Sequence, residues 1–123
     1  MVPTSKHDKI TFDDVLESVS TYIEDGEQIS VIKRAYNFAN KKHNGQLRKS
    51  GEPYIIHPLN VALILSKIYA DYETISAALL HDVLEDCDCT VEEMENEFGI
   101  NITRLVTGVT RLSRINLDRK SVV

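Results

Sequence analysis

Four ionisable side chains crowd into six positions of an otherwise apolar run. The run reads Ile75-Ser76-Ala77-Ala78-Leu79-Leu80-His81-Asp82-Val83-Leu84-Glu85-Asp86. Desolvating a charge costs several kcal/mol unless a partner or a metal compensates it. A divalent cation near His81 and Asp82 is the simplest compensation. Imidazole and carboxylate together suit Mn²⁺, Fe²⁺ or Zn²⁺. If the run is one helix, residues four apart share a side. His81 and Glu85 then lie on one strip and Asp82 and Asp86 on the next, about 100° away. Glu85 and Asp86 could orient or deprotonate a metal-bound water. An exposed helix end would explain the last two acids as solvated groups, but not His81-Asp82 among Leu79, Leu80, Val83 and Leu84.

His57 is the second candidate ligand. It stands between the apolar triplet Tyr54-Ile55-Ile56 and Pro58. A hydrogen-bonded structural histidine is the alternative reading. Lys41, Lys42, Arg48 and Lys49 form a basic cluster nearby. Such cations can neutralise phosphates, and arginine can also stack on a flat base. A solvated basic loop is the alternative there. Cys87 and Cys89 are the two cysteines. Their spacing rarely meets disulfide geometry, and zinc sites usually need more Cys or His, so they read as two small loop residues rather than a thiolate site.

The elements that must position these groups are helical. Phe12, Val15, Leu16, Val19 and Ile23 have helical spacing, and Asp25-Gly26 breaks it. A second helix is predicted over 28–43, with Ile29, Ile32, Ala35, Tyr36 and Ala39 inward and Asn44-Gly45 ending it. Residues 44–56 are non-periodic, with two glycines and a proline, and read as a loop. Pro58 suits the first turn of a third helix reaching about Tyr69. Asp71 reads as the N-cap of a fourth, Glu73 to Glu85, carrying His81-Asp82. Thr90-Val91-Glu92-Glu93 fits a capping box for a fifth, ending near Gly99. A sixth starts near Asn101 with Ile102, Leu105, Val106, Val109 and Leu112. The expected fold is an all-α bundle of about six short helices, with 1–11 as an N-terminal segment, 12–115 as the domain and 116–123 as a tail.

The chain has 123 residues, 42% of them hydrophobic and 27% charged, as an ordinary soluble domain would. A net charge of −5 argues against a general nucleic-acid binder. No apolar run approaches the ~20 residues of a membrane span, and the polar start lacks the apolar core of a signal peptide. A cytoplasmic location is the expectation, with neither nucleic acid nor membrane as partner.

Several segments together resemble the N-terminal hydrolase domain of the RelA/SpoT family, within the HD phosphohydrolase superfamily. They are 39–46 (ANKKHNGQ), 48–59 (RKSGEPYIIHPL), 77–86 (AALLHDVLED), Phe98-Gly99 and 105–112 (LVTGVTRL). The motifs come in matching order over roughly residues 28–115. The resemblance implies that His57, His81 and Asp82 are three of four metal ligands. By the same likeness Glu85 and Asp86 are the acidic pair that activates the attacking water. Arg48, Lys49 and Ser50 would belong to the nucleotide-binding loop. It implies Mn²⁺ as cofactor, and removal of the 3′-pyrophosphate of guanosine tetra- or pentaphosphate, (p)ppGpp, in the stringent response.

The family's fourth ligand is an Asp in a motif like Ala-Asp-Arg-x-His-Asn, which nothing here matches. Asp118-Arg119 lacks the His-Asn that should follow and comes too early. The expectation is a partial domain, incomplete on its C-terminal side, with apolar surface left open for a homodimer. Two other functions stay open: an HD-type phosphohydrolase acting on another nucleotide, and a catalytically silent helical domain that binds nucleotide or protein.

Overall fold

The computed structural model describes residues 10–43, 55–86 and 89–108. They form α1 (Phe12–Ser20), α2 (Gly26–Lys42), α3 (Ile56–Lys67), α4 (Tyr72–Leu80), α5 (Val83–Asp86) and α6 (Val91–Phe98). A seventh helical stretch, α7, covers 100–108. The described residues contain no strand, and the all-α expectation holds.

The helices start where short polar side chains satisfy the first free N–H groups. The Asp25 carboxylate accepts from the Glu27 N–H at 2.8 Å, starting α2 two residues earlier than its apolar pattern suggests. Asp71 accepts from the Thr74 N–H at 2.8 Å and caps α4 as expected. Thr90 accepts from the Glu93 N–H at 3.1 Å and caps α6. The Glu93 carboxylate lies 3.2 Å from Lys42 Nζ and so ties α6 to the end of α2.

Two helices stop short of their predicted ends. The Thr21 hydroxyl donates to the Ser18 carbonyl at 2.7 Å as α1 unwinds, short of Ile23. Beyond α3, Tyr69 adopts φ 62°. This left-handed conformation is unfavourable for a bulky residue and ends the helix. Tyr22 braces this turn, its hydroxyl donating to the Ala70 carbonyl at 2.7 Å and its ring meeting Tyr69 edge-on at 5.3 Å. Between α6 and α7, Gly99 takes φ 88°, where a side chain would be strained.

Helix α4 is the centre of the core. Every residue from Ile75 to Leu80 is buried, and the helix packs against both α2 and α3. Alanines at Ala35, Ala39, Ala62, Ala77 and Ala78 let the backbones approach closely. Val15 and Val19 of α1, Ile32 of α2, Leu59 of α3, Met94 of α6, and Ile102 and Val106 of α7 close around them. Each such side chain taken fully out of water contributes about 1.5–3 kcal/mol. This frame fixes the ends of α3 and α4, where the candidate ligands sit.

The expected helix from Glu73 to Glu85 is not continuous. Helix α4 ends at Leu80, His81 and Asp82 form a turn, and α5 begins at Val83. The His81 imidazole explains the break. Its Nδ1 lies 2.7 Å from the Ala78 carbonyl oxygen, while the His81 backbone N–H reaches that same carbonyl at a long 3.5 Å. The side chain thus takes a backbone acceptor at the helix end. The paired strips drawn for one straight helix through Asp86 therefore do not exist as such.

Candidate metal centre

Three side chains from two places in the chain converge. His57 enters from the first turn of α3, and His81 and Asp82 from the turn after α4. His57 Nε2 lies 3.9 Å from Asp82 Oδ2, and His81 Nε2 lies 3.2 Å from Asp82 Oδ1. The two imidazole rings meet edge-on, with centroids 5.3 Å apart. One donor atom from each residue falls within 4.8 Å of the others. The side chains of His81 and Asp82 are only 11% and 13% exposed, whereas that of His57 is 41% exposed.

A carbonyl oxygen can only accept, so the Nδ1 that touches Ala78 must carry the hydrogen. In the neutral ring, Nε2 then presents a lone pair towards a carboxylate oxygen. Two such lone-pair atoms repel unless a proton or a metal ion lies between them. A backbone acceptor on the far nitrogen is also the usual way a metal-ligating imidazole is oriented. Donors about 2.1 Å from one ion stand ~3–4 Å apart, depending on the angle. The distances of 3.2 and 3.9 Å fit that window. Two nitrogens and a carboxylate oxygen suit a divalent first-row metal, so the residues present fit such an ion.

Beside His81 lies a small apolar cavity of about 100 Å³, walled chiefly by Val61, Leu65, Ala77, Ala78 and Leu105. In the sequence, Val61, Leu65 and Leu105 are only apolar positions within the third and sixth predicted helices. The structure puts them at the flank of the imidazole, as an apolar wall on one side of it. Position His57+4 on α3 is the signal that could have placed Val61 there. Nothing in the sequence singles out the Ala78 carbonyl.

Glu85 and Asp86 occupy α5, the helix that follows the turn directly. Arg48, Lys49, Ser50, Cys87 and Asp118 lie outside the described residues. Of the rest of the basic cluster, Lys41 is exposed, and Lys42 reaches Glu93 and sits 5.4 Å from the Phe38 ring centroid. The Cys89 thiol lies 3.5 Å from the Thr90 carbonyl, apart from the His57–His81–Asp82 group. Among the described residues, no helix is long and apolar enough to cross a membrane.

A bundle that brings two histidines and an aspartate together at adjoining helix ends defines a class of helical metal site. Residues 35–121 match the family described as HD domain, and the chain belongs to that family. It is 51% identical over 112 residues to the guanosine-3′,5′-bis(diphosphate) 3′-pyrophosphohydrolase of Aquifex aeolicus (strain VF5), covering 90% of this chain and 16% of that protein. It is 44% identical over 109 residues to the bifunctional (p)ppGpp synthase/hydrolase SpoT of Escherichia coli (strain K12), covering 89% and 15%. A GTP pyrophosphokinase of Myxococcus xanthus is 46% identical over 114 residues, again covering 89% and 15%. The chain thus spans 15–16% of the length of these relatives.

Proposed function

We propose that this domain, within a protein of its relatives' length, hydrolyses the 3′-pyrophosphate of (p)ppGpp with Mn²⁺ as cofactor. The observation that carries this reading is the convergence of His57, His81 and Asp82, with donor atoms within 4.8 Å. It is supported by 51% identity to a protein named for that hydrolysis. His57, His81 and Asp82 would hold the ion, His81 through the nitrogen opposite its bond to Ala78. When bound, the ion would supply Lewis-acid charge that lowers the pKa of a water. Glu85 and Asp86 would position the attacking water and take its proton. The oxygen adds to phosphorus, the bond to the 3′ oxygen breaks, and that oxygen leaves with a proton as pyrophosphate departs. Arg48 and Lys49 neutralise the phosphates, Arg48 stacks on the base, and Ser50 adds a hydrogen bond.

The test is chromatographic detection of pyrophosphate released from ppGpp by the full-length gene product with Mn²⁺. His81→Ala should abolish release, and retained activity in that variant overturns the reading. A panel of other nucleotides separates this substrate from related ones. A second reading, a silent nucleotide-binding domain, is favoured by relatives that carry the same segment under the name GTP pyrophosphokinase. Binding without turnover by the unaltered protein would select it. A cytoplasmic location accords with this substrate. The exposed Ile64, Ile68 and Tyr69, at 66%, 70% and 71%, support a homodimer through the end of α3.

A further inference from the structure

A second cleft, of about 220 Å³, opens between α2 and α6. It is lined by Arg34, Asn37, Phe38, Lys41, Glu97 and Phe98. None of these residues belongs to the metal centre. Arg34, Asn37 and Lys41 lie along one strip of α2, at positions i, i+3 and i+7. They place two cations and an amide on one wall of a chain whose net charge is −5.

Arg34 is held at two points. Its guanidinium donates to the Glu97 carbonyl and lies 5.2 Å from the centroid of the Phe98 ring. Phe98 is itself braced edge-on by Phe38 at 5.3 Å. These two contacts orient the guanidinium and so reduce the side-chain entropy lost on binding. A planar cation fixed in this way can stack on a nucleobase, while Lys41 and Asn37 reach further along the strip. A staple between α2 and α6 would need Arg34 alone. It gives no role to Asn37 and Lys41 around an open cleft.

We propose that this cleft is a binding site for a nucleoside phosphate, with the base stacked on Arg34 and the phosphates towards Lys41. The site is separate from the metal centre and does not depend on the hydrolase reading. ADP serves as probe, with pyrophosphate as the base-free control, in amide-resolved NMR titrations of the 123-residue chain with EDTA present.

ADP should shift the amides of Arg34, Asn37, Lys41 and Phe98 with one saturable constant. Pyrophosphate should bind several-fold more weakly. Lys41→Ala leaves the Arg34–Phe98 stack in place and should weaken ADP by about threefold, as for one exposed charge pair. His81→Ala should leave ADP binding unchanged. The proposal is overturned if these amides do not move at millimolar ADP, or if pyrophosphate binds as well as ADP. It also fails if Lys41→Ala has no effect on affinity, or if the shifts vanish in His81→Ala.

Discussion

His81 Nε2 lies 3.2 Å from Asp82 Oδ1, and the opposite nitrogen of the same ring lies 2.7 Å from the Ala78 carbonyl. One imidazole therefore ends helix α4 with one nitrogen and aims the other at a carboxylate. Fold and site meet in that single ring. The same hydrogen bond that breaks the helix orients the candidate ligand.

The core around α4 should be intolerant of truncation. Leu79 is fully buried where α4 packs between α2 and α3. Leu79→Ala should lower the unfolding free energy by about 2–5 kcal/mol, because the surrounding helices close the cavity only in part. Urea denaturation measures this, and a loss below about 1 kcal/mol would contradict the packing described.

The N-cap of α4 can be separated from its charge. Asp71 accepts the Thr74 N–H at 2.8 Å. Asp71→Ala should cost about 1 kcal/mol, and Asp71→Asn much less, since asparagine caps nearly as well. Equal losses in the two variants would show that the cap contributes nothing.

Tyr22 should make the fold sensitive to alkali. Burial, and secondarily the negative charge of Asp71, push its phenol above the ordinary value. The folded state thus holds the proton more tightly than the unfolded chain. That contribution is complete below the ordinary phenol pKa and is lost as pH rises through the higher folded value. Stability should fall above about pH 10. In Tyr22→Phe, which loses the bond to the Ala70 carbonyl, the steepness of that fall should lessen. An unchanged alkaline slope in Tyr22→Phe would assign the effect to other groups.

Self-association should run through the end of α3. Ile64 and Ile68 lie one turn apart and are mostly exposed. Sedimentation equilibrium should show a concentration-dependent dimer, and Ile68→Glu should shift it to monomer. A monomer at every concentration would rule the dimer out.

Much of this was legible in the sequence, and the misses have physical causes. Periodicity located the inward faces of α1 and α2, because Val15, Val19, Ile32, Ala35 and Ala39 follow a 3.6-residue repeat, whereas the nearly continuous apolar run of α3 hid its face, and Ile64 and Ile68 are exposed. Asp71 and Thr90 announced their helices, because a short acceptor side chain before an apolar run has one common use. The break at His81 was hidden, since Ile75 to Leu84 reads as one apolar helix and a side-chain bond to a carbonyl leaves no trace in composition. The end of α3 was hidden likewise, because Tyr69 carries no signal for a positive φ. At the site, residue types made His57, His81 and Asp82 candidates. Only the fold brings α3 and the α4–α5 turn together.

His57, His81 and Asp82 should together hold one divalent ion. Titration of the 123-residue chain with Mn²⁺, followed by the loss of free-ion EPR signal, tests it most directly. One ion should bind per chain, with binding weakened at least tenfold in His57→Ala, His81→Ala and Asp82→Asn, since even the loss of an outer hydrogen bond to a ligand costs about 10–100-fold. Circular dichroism should show each variant still helical. Binding of Mn²⁺ with unaltered affinity in folded His81→Ala would exclude His81 as a ligand and overturn this metal centre.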